Sequence, residues 1–408
     1  MEQSLLQDYA RLIVEAGVNP DKGQAVMVYA ELDQPDFVRM VVKSLYEHGV
    51  SEVILRWEDS QCRRLDYQYV DEGILSTPKP WMAPRLEWQV EQLPATLYLE
   101  STPPDIFDGL DSEKIARSEG AIRKFAKPYR DRRDGKHQWC IATVPSVGWA
   151  KKVFPDVADD LAVELLWRAI LFSSYVDGNS VENWKRIQGD FDRRAKILND
   201  YQFKSLHYHA SNGTDFTIGL IPNSVFEGGE SRDLSNRAFQ ANLPSEELFI
   251  TPMKGVAEGL LVATRPLLTH TGALIDGFNI RFHEGKAVEW HAEKGQRDLD
   301  MLIATDEGSA YIGECALVPF SSPINQSGIL YYSTIFDENA GCHFALGAGY
   351  NETIVGHEKM TLDELHAIGV NDSTIHEDFV IGCADLDITG MTADGREIPV
   401  FRKGEWCF

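Results

Sequence analysis

Ala25-Val26-Met27-Val28-Tyr29 is an unbroken apolar run of β-forming residues, the pattern of a strand buried on both faces of a sheet. What flanks it decides the fold class. Before it, Leu5, Leu6, Tyr9, Leu12, Ile13 and Ala16 recur at helical spacing, and Gly17 with Asn19-Pro20 closes that helix. After it, Phe37, Val38, Val41, Val42, Leu45 and Tyr46 make a second apolar helix face that stops at Gly49. Val53-Ile54-Leu55, Thr96-Leu97-Tyr98-Leu99 and Trp139-Cys140-Ile141-Ala142 follow as further short strands separated by helical segments. Strands alternating with helices predict βαβ units and a mainly parallel sheet covered on both faces. No G-x-G-x-x-G follows any of these strands, so a nucleotide site on this sheet has no support.

A strong helix is predicted over 156–172, followed by a polar, partly helical stretch from Asp177 to Arg193. The boundary falls near residue 190, giving an N-terminal α/β domain over 1–190 and a second domain over 191–408. The second half changes character. Ser205 to Ile218 reads as a hairpin turning at Asn212-Gly213, and Ile275 to Trp290 as another turning at Glu284-Gly285. Leu386 to Val400 looks like a closing hairpin, and Met360 to Ile368 a helix. This half is expected to be a mixed, largely antiparallel α+β domain. His207, His209, His283 and His291 lie on its alternating strands and read as ordinary surface or packed histidines.

The bulk numbers exclude several partners. The 408 residues carry 63 acidic and 39 basic side chains, a formal charge of −24. That field repels a phosphate backbone and anionic lipid, so neither nucleic acid nor a membrane surface is an expected partner. No apolar run approaches the roughly 20 residues of a membrane span. Met1-Glu2-Gln3-Ser4-Leu5-Leu6 lacks the basic and apolar regions of a signal peptide, which makes a cytoplasmic location the expectation. The six cysteines are dispersed, with no C-x-x-C, and read as reduced thiols.

Chemistry concentrates in the second half. Ser373-Thr374-Ile375-His376-Glu377-Asp378-Phe379-Val380-Ile381-Gly382 reads as a strand, on which His376 and Asp378 project to one face and Glu377 to the other. An imidazole beside a carboxylate suits a divalent cation; a plain hydrogen bond at a strand end is the blander reading. Glu314, in Tyr311-Ile312-Gly313-Glu314-Cys315-Ala316-Leu317-Val318-Pro319, is an acid in an almost wholly apolar strand. Such a group is costly unless paired, protonated or bound to a cation. Two more polar clusters, Asn242 to Phe249 with Glu246 and Glu247, and Phe336 to Tyr350 with Glu338 and His343, complete the set. Together they hold enough ligands for one zinc or for two metals sharing a carboxylate. No G-x-S-x-G, H-E-x-x-H or P-loop is present, and Cys342 beside His343 is a weak candidate nucleophile.

At these clusters the chain resembles the thermophilic aminopeptidases of bacteria, metallopeptidase family M29. The segments that carry the resemblance are Phe226-Glu227-Gly228-Gly229, Asn242 through Pro252, Thr305-Asp306-Glu307-Gly308-Ser309, Gly313 through Pro319, Phe336 through Ala340, His343-Phe344-Ala345-Leu346-Gly347 and His376 through Gly382. Gly148-Trp149-Ala150 and Val153-Phe154-Pro155 are similar landmarks in the first half, so the resemblance spans essentially the whole chain. It implies a metal-dependent aminopeptidase acting on peptides with a free N-terminus. It also implies a homodimer with two divalent cations per subunit, of zinc, cobalt, manganese or magnesium type. By resemblance the metal ligands would be Glu247, Glu314, His343, His376 and Asp378, with Glu314 as the bridge and Glu246 competing with Glu247. Tyr350 matches a tyrosine beside the metals, suited to binding an oxyanion. Glu338 and a metal-bound carboxylate are both candidates for the general base. Ala348-Gly349-Tyr350-Asn351 and Cys315 depart from the usual pattern without removing a ligand, which bears on substrate preference more than on activity.

A rival reading is a mononuclear non-haem iron dioxygenase that cleaves a hydroxylated ring. It would use only His343, His376 and Asp378 as a facial triad, leaving Glu247 and Glu314 redundant. A second rival is a binding protein with a closed structural metal.

Overall fold

A computed structural model describes residues 1–269 and 272–408. The chain forms two compact units, Met1–Arg186 with Glu230–Pro244, and Ile187–Gly229 with Ser245–Phe408. The sequence places one boundary near residue 190; here the chain divides at 186/187, and residues 230–244 return to the first unit.

The first unit is built on a five-stranded sheet ordered Glu52–Glu58, Ala25–Glu31, Ala95–Glu100, Trp139–Thr143 and Asn242–Leu243. Every neighbouring pair is parallel, as the alternation of strands and helices predicts. The fifth strand comes from beyond residue 190 and is only two residues long, too short to leave a periodic signal in sequence. Gln3–Leu12 runs on into a π-helical turn, Ile13–Val18, which ends at Asn19 in the left-handed region. Pro35–His48 starts on its proline and ends at left-handed Gly49. Among the described residues, no helix is long and apolar enough to cross a membrane.

The second unit contains a four-stranded antiparallel sheet ordered Leu248–Ile250, Ile312–Leu317, His343–Gly347 and His376–Val380. A larger antiparallel sheet takes in the expected hairpins, Phe203–His209 with Asp215–Leu220, Leu274–His283 with Lys286–Lys294, and Asp387–Thr392 with Glu397–Arg402. One face of the small sheet belongs to the core. Phe344 meets Tyr208 and Phe216 at ring-centroid distances of 5.0 and 5.3 Å, and Phe379 meets Phe278 at 5.8 Å. Because side chains alternate along a strand, the residues next to Phe344 and Phe379 are forced to the opposite face. Those residues are His343, Ala345, Asp378 and Val380.

Candidate metal centre

The register of the small sheet assembles the site. Glu314 pairs with Ala345, and Ala345 pairs with Asp378, so the three stand in one row across three strands. His343 is two residues from Ala345, and His376 two from Asp378; both therefore share that face. Phe249 pairs with Ala316, which is two residues from Glu314, so the fourth strand brings Phe249 and, two residues earlier, Glu247 to the same side. Glu246 has the opposite phase, and its backbone N–H donates to Asn339 Oδ1 at 2.7 Å. Ala345 lies at the centre of the set with only a methyl group. No periodicity or charge marks it in the sequence; the signal is the pairing itself.

Two glycines let the strands close. The strand shifts register between Ile312 and Glu314, and a Cβ at Gly313 would lie 2.2 Å from Ala348 O. Gly347, opposite His376, has φ +106°, and a Cβ there would lie 2.1 Å from Ile375 O. Asp306, which sequence reasoning left without a role, ties down the approach to His376. Its carboxylate accepts from Thr374 N and Thr374 Oγ1, both at 2.7 Å, and from Ser373 Oγ at 2.8 Å. Burial opposes its charge, yet these donors hold its carboxyl at about 2.

Ligand atoms of Glu247, Glu314 and His343 lie within 4.8 Å of one another, and so do those of Glu314, His376 and Asp378. Glu314 belongs to both groups. His343 Nε2 is 3.1 Å from Glu247 Oε2; His376 Nε2 is 2.9 Å from Glu314 Oε2 and 3.5 Å from Asp378 Oδ1. The Glu247 and Asp378 oxygens in these contacts are buried but receive no hydrogen bond of good geometry. Buried carboxylate oxygens that lack a well-aligned donor are what a cation site requires.

The rings are oriented from behind. His343 Nδ1 lies 3.2 Å from Gly341 O, and His376 Nδ1 lies 2.7 Å from Ala348 O. A carbonyl oxygen only accepts, so each Nδ1 carries a hydrogen, and each Nε2 is the atom turned toward the carboxylates. In the absence of a cation the rings themselves supply positive charge. Burial works against it, but the carboxylates raise His343 to about 10, through Glu247 first, and His376 to about 12, through Asp378 first. Burial, with Asp378 and Glu247 nearby, pushes Glu314 up to about 7 despite its bond to His376. Asp378 is held below the usual range by His376 and then His343, against the effect of burial. A divalent cation would take over the role of the Nε2 protons, and the donor set, two imidazoles and three carboxylates, suits zinc, cobalt or manganese.

Two further residues border the cluster. Glu338 is half-buried, and its carboxyl is raised well above the usual range by burial and by Asp378 and Glu247. The Tyr350 ring lies 4.7 Å from the His376 ring and 5.3 Å from that of Phe249. Its phenol is also raised well above its ordinary value, by burial of the hydroxyl and then by Glu314, so it stays a hydrogen-bond donor. The cluster reaches solvent through Glu247 and His376, whose side chains are 14% and 21% exposed. Cys342 is no nucleophile here: its buried thiol donates to Val318 O at 3.2 Å, and burial pushes its pKa far up.

Comparison with known proteins agrees over the whole chain. A family model described as thermophilic metalloprotease (M29) matches residues 2–406. The chain is 40% identical to aminopeptidase AmpS of Bacillus subtilis (strain 168), covering 99% of this chain and 98% of that one. The solved structure of wild-type AmpT from Thermus thermophilus superposes with a TM-score of 0.92 at 32% identity, covering all of both chains. A 2,5-dihydroxypyridine dioxygenase from Pseudomonas putida KT2440 shares the fold at a TM-score of 0.52 and 14% identity, over 99% of this chain and 96% of that one.

Proposed function

This chain belongs to the thermophilic metalloprotease family M29, and from that premise we propose that it is a metal-dependent aminopeptidase working through a two-metal centre. It removes the first residue of peptides that have a free N-terminus. The residues that would hold the cations are Glu247, Glu314, His343, His376 and Asp378, with Glu314 shared between the two groups. The observation that carries the two-metal reading is that Glu314 is common to both ligand groups. Cations held there, of zinc, cobalt, manganese or magnesium type, would supply Lewis acidity toward a water and the scissile carbonyl.

The protein's own groups do the rest. The Nδ1 contacts to Gly341 O and Ala348 O fix the imidazoles so that only Nε2 faces the centre. Glu338, whose carboxyl nearby cations would return to the ionised form by offsetting Asp378 and Glu247, takes a proton from the attacking water as the water oxygen bonds to the carbonyl carbon. It then gives that proton to the departing nitrogen as the C–N bond breaks. Tyr350 donates a hydrogen bond to the carbonyl oxygen as charge gathers there. One carboxylate at the edge of the centre holds the substrate's α-ammonium, which restricts cleavage to the first bond. A homodimer and a cytoplasmic location complete the proposal; sedimentation and cell fractionation test them.

The direct test is hydrolysis of free-amine aminoacyl anilides by chelator-stripped protein, with and without cobalt or zinc. Turnover restored only by cation, and absent with the N-acetylated substrate, is the expected result. Equal cleavage of the acetylated substrate would refute the exopeptidase reading. The ring-cleaving dioxygenase alternative, on His343, His376 and Asp378, leaves Glu247 and Glu314 without a task. One bound iron in place of two cation equivalents would favour it.

A further inference from the structure

Tyr350 stands in a segment with no strand pairing of its own, between the strand His343–Gly347 and the short 3-10 turn Asn351–Thr353. The residue is 36% exposed, so packing alone does not fix it. What fixes its backbone is one hydroxyl. Thr251 Oγ1 accepts from Tyr350 N at 2.8 Å and donates to Tyr350 O at 2.8 Å. A threonine hydroxyl has one hydrogen and accepting lone pairs, so a single buried atom satisfies both backbone groups of the tyrosine. Thr353 Oγ1 adds a second, longer bond to Tyr350 O at 3.1 Å.

Thr251 is itself rigidly placed. It is fully buried and lies where the chain leaves the strand Leu248–Ile250 of the small sheet and begins the strand Pro252–Val262 of the large one. Its methyl group needs the space that a side chain at residue 349 would take: a Cβ on Gly349 would lie 2.7 Å from Thr251 Cγ2. Two residues before it, Phe249 packs edge-on against the Tyr350 ring. One short stretch, 249–251, therefore grips the tyrosine by ring and backbone together.

We propose that Thr251 is a positioning residue whose hydroxyl sets where the Tyr350 phenol stands over the reacting oxygen; this rests on the reading of Tyr350 given above. It touches neither substrate nor cation, and acts through Tyr350. A misplacement of about 1 Å costs about 100-fold in rate when a group must meet a developing charge.

The test compares Thr251→Val, of similar shape without the hydroxyl, Thr251→Ser, which keeps it, Tyr350→Phe, and the Val/Phe double variant. All are assayed as cation-loaded enzyme on a free-amine aminoacyl anilide, and cation content is measured on each. The expected result for Thr251→Val is a fall in kcat of about 10–100-fold, with KM within about twofold and cation content unchanged. Thr251→Ser should stay within about threefold of the parent, and the double variant should be no slower than Tyr350→Phe, as for groups acting as one unit. Parental kcat in Thr251→Val, or a double variant slowed by the product of the two single effects, overturns the proposal and leaves the aminopeptidase reading standing. Parental activity in Tyr350→Phe overturns both the tyrosine's assignment and this inference. Should Thr251→Val not fold, Thr251→Ala, which leaves room instead of crowding, carries the same comparison.

Discussion

Replacing Glu314 by glutamine should stabilise the cation-free protein and abolish its response to cations. Glu314 is 3% exposed and faces Asp378 and Glu247 across the centre. Its carboxyl stands at about 7 in the folded chain against an ordinary 4.5. A raised carboxyl keeps its proton longer when folded than when unfolded, so folding is penalised as pH rises through that window. The penalty is absent below pH 4.5, grows up to about pH 7 and is constant above it. At 1.36 kcal/mol per pH unit the gap amounts to about 3 kcal/mol. Glutamine has the same shape without the charge, so the cation-free variant should recover up to that amount at pH 8. For a unit of this size that is a rise in Tm of roughly 5–10 °C. The cation reverses the order: at 1,000 times its Kd it adds about 4.1 kcal/mol to the parent, and little to a variant that lacks the carboxylate common to both groups. Scanning calorimetry at pH 8, in chelator and then in cobalt or zinc, reads both effects. A cation-free variant melting below the parent, or one gaining as many degrees from the cation, refutes the reasoning.

Three other outcomes follow from the same geometry. Loading the centre at pH 8 should release about two protons, because His343 and His376 hold theirs up to about 10 and about 12 and must give them up to ligate. Titration calorimetry in buffers of different ionisation enthalpy measures this, and a release of zero would contradict it. Tyr350→Phe should lower kcat by about 100–1,000-fold with cation content unchanged, as expected for a lost oxyanion donor; steady-state kinetics and elemental analysis decide. Ala345→Val should cost about 1–3 kcal/mol through crowding and remove at least one cation equivalent, since its branches enter the space between Glu314 and Asp378. Ala345→Gly should keep both equivalents, and full cation content in the valine variant would show that the row has room to spare.

Much of this site was legible from local pattern alone. Alternation along one strand put His376 and Asp378 together, and the expense of an acid among Ile312, Cys315, Ala316 and Leu317 singled out Glu314. The helix–strand alternation before residue 190 foretold the parallel sheet, because each element there carries its own periodicity. What local pattern lacks is phase between strands. Whether Glu246 or Glu247 faces His343 is decided by Phe249 pairing with Ala316, a contact across 67 positions. Ala345 sits centrally only because Glu314 and Asp378 both pair with it. The strand Asn242–Leu243 joins the first unit through two residues next to Trp139–Thr143, with nothing in its composition to announce it. Thr251 reads in sequence as a polar residue after a strand; its two bonds to Tyr350 cross 99 positions.

The spread of the proposed ligands along the chain bears on how such an enzyme is made. Glu314, His343 and Asp378 come from three strands and Glu247 immediately precedes a fourth, and the row Glu314–Ala345–Asp378 closes only when the last of them pairs. A chain still under synthesis, or one halted anywhere before Asp378, holds an incomplete ligand set whatever else has folded. On the proposed function, a peptidase that would otherwise meet every free N-terminus around it is silent until its final metal-binding strand has been delivered.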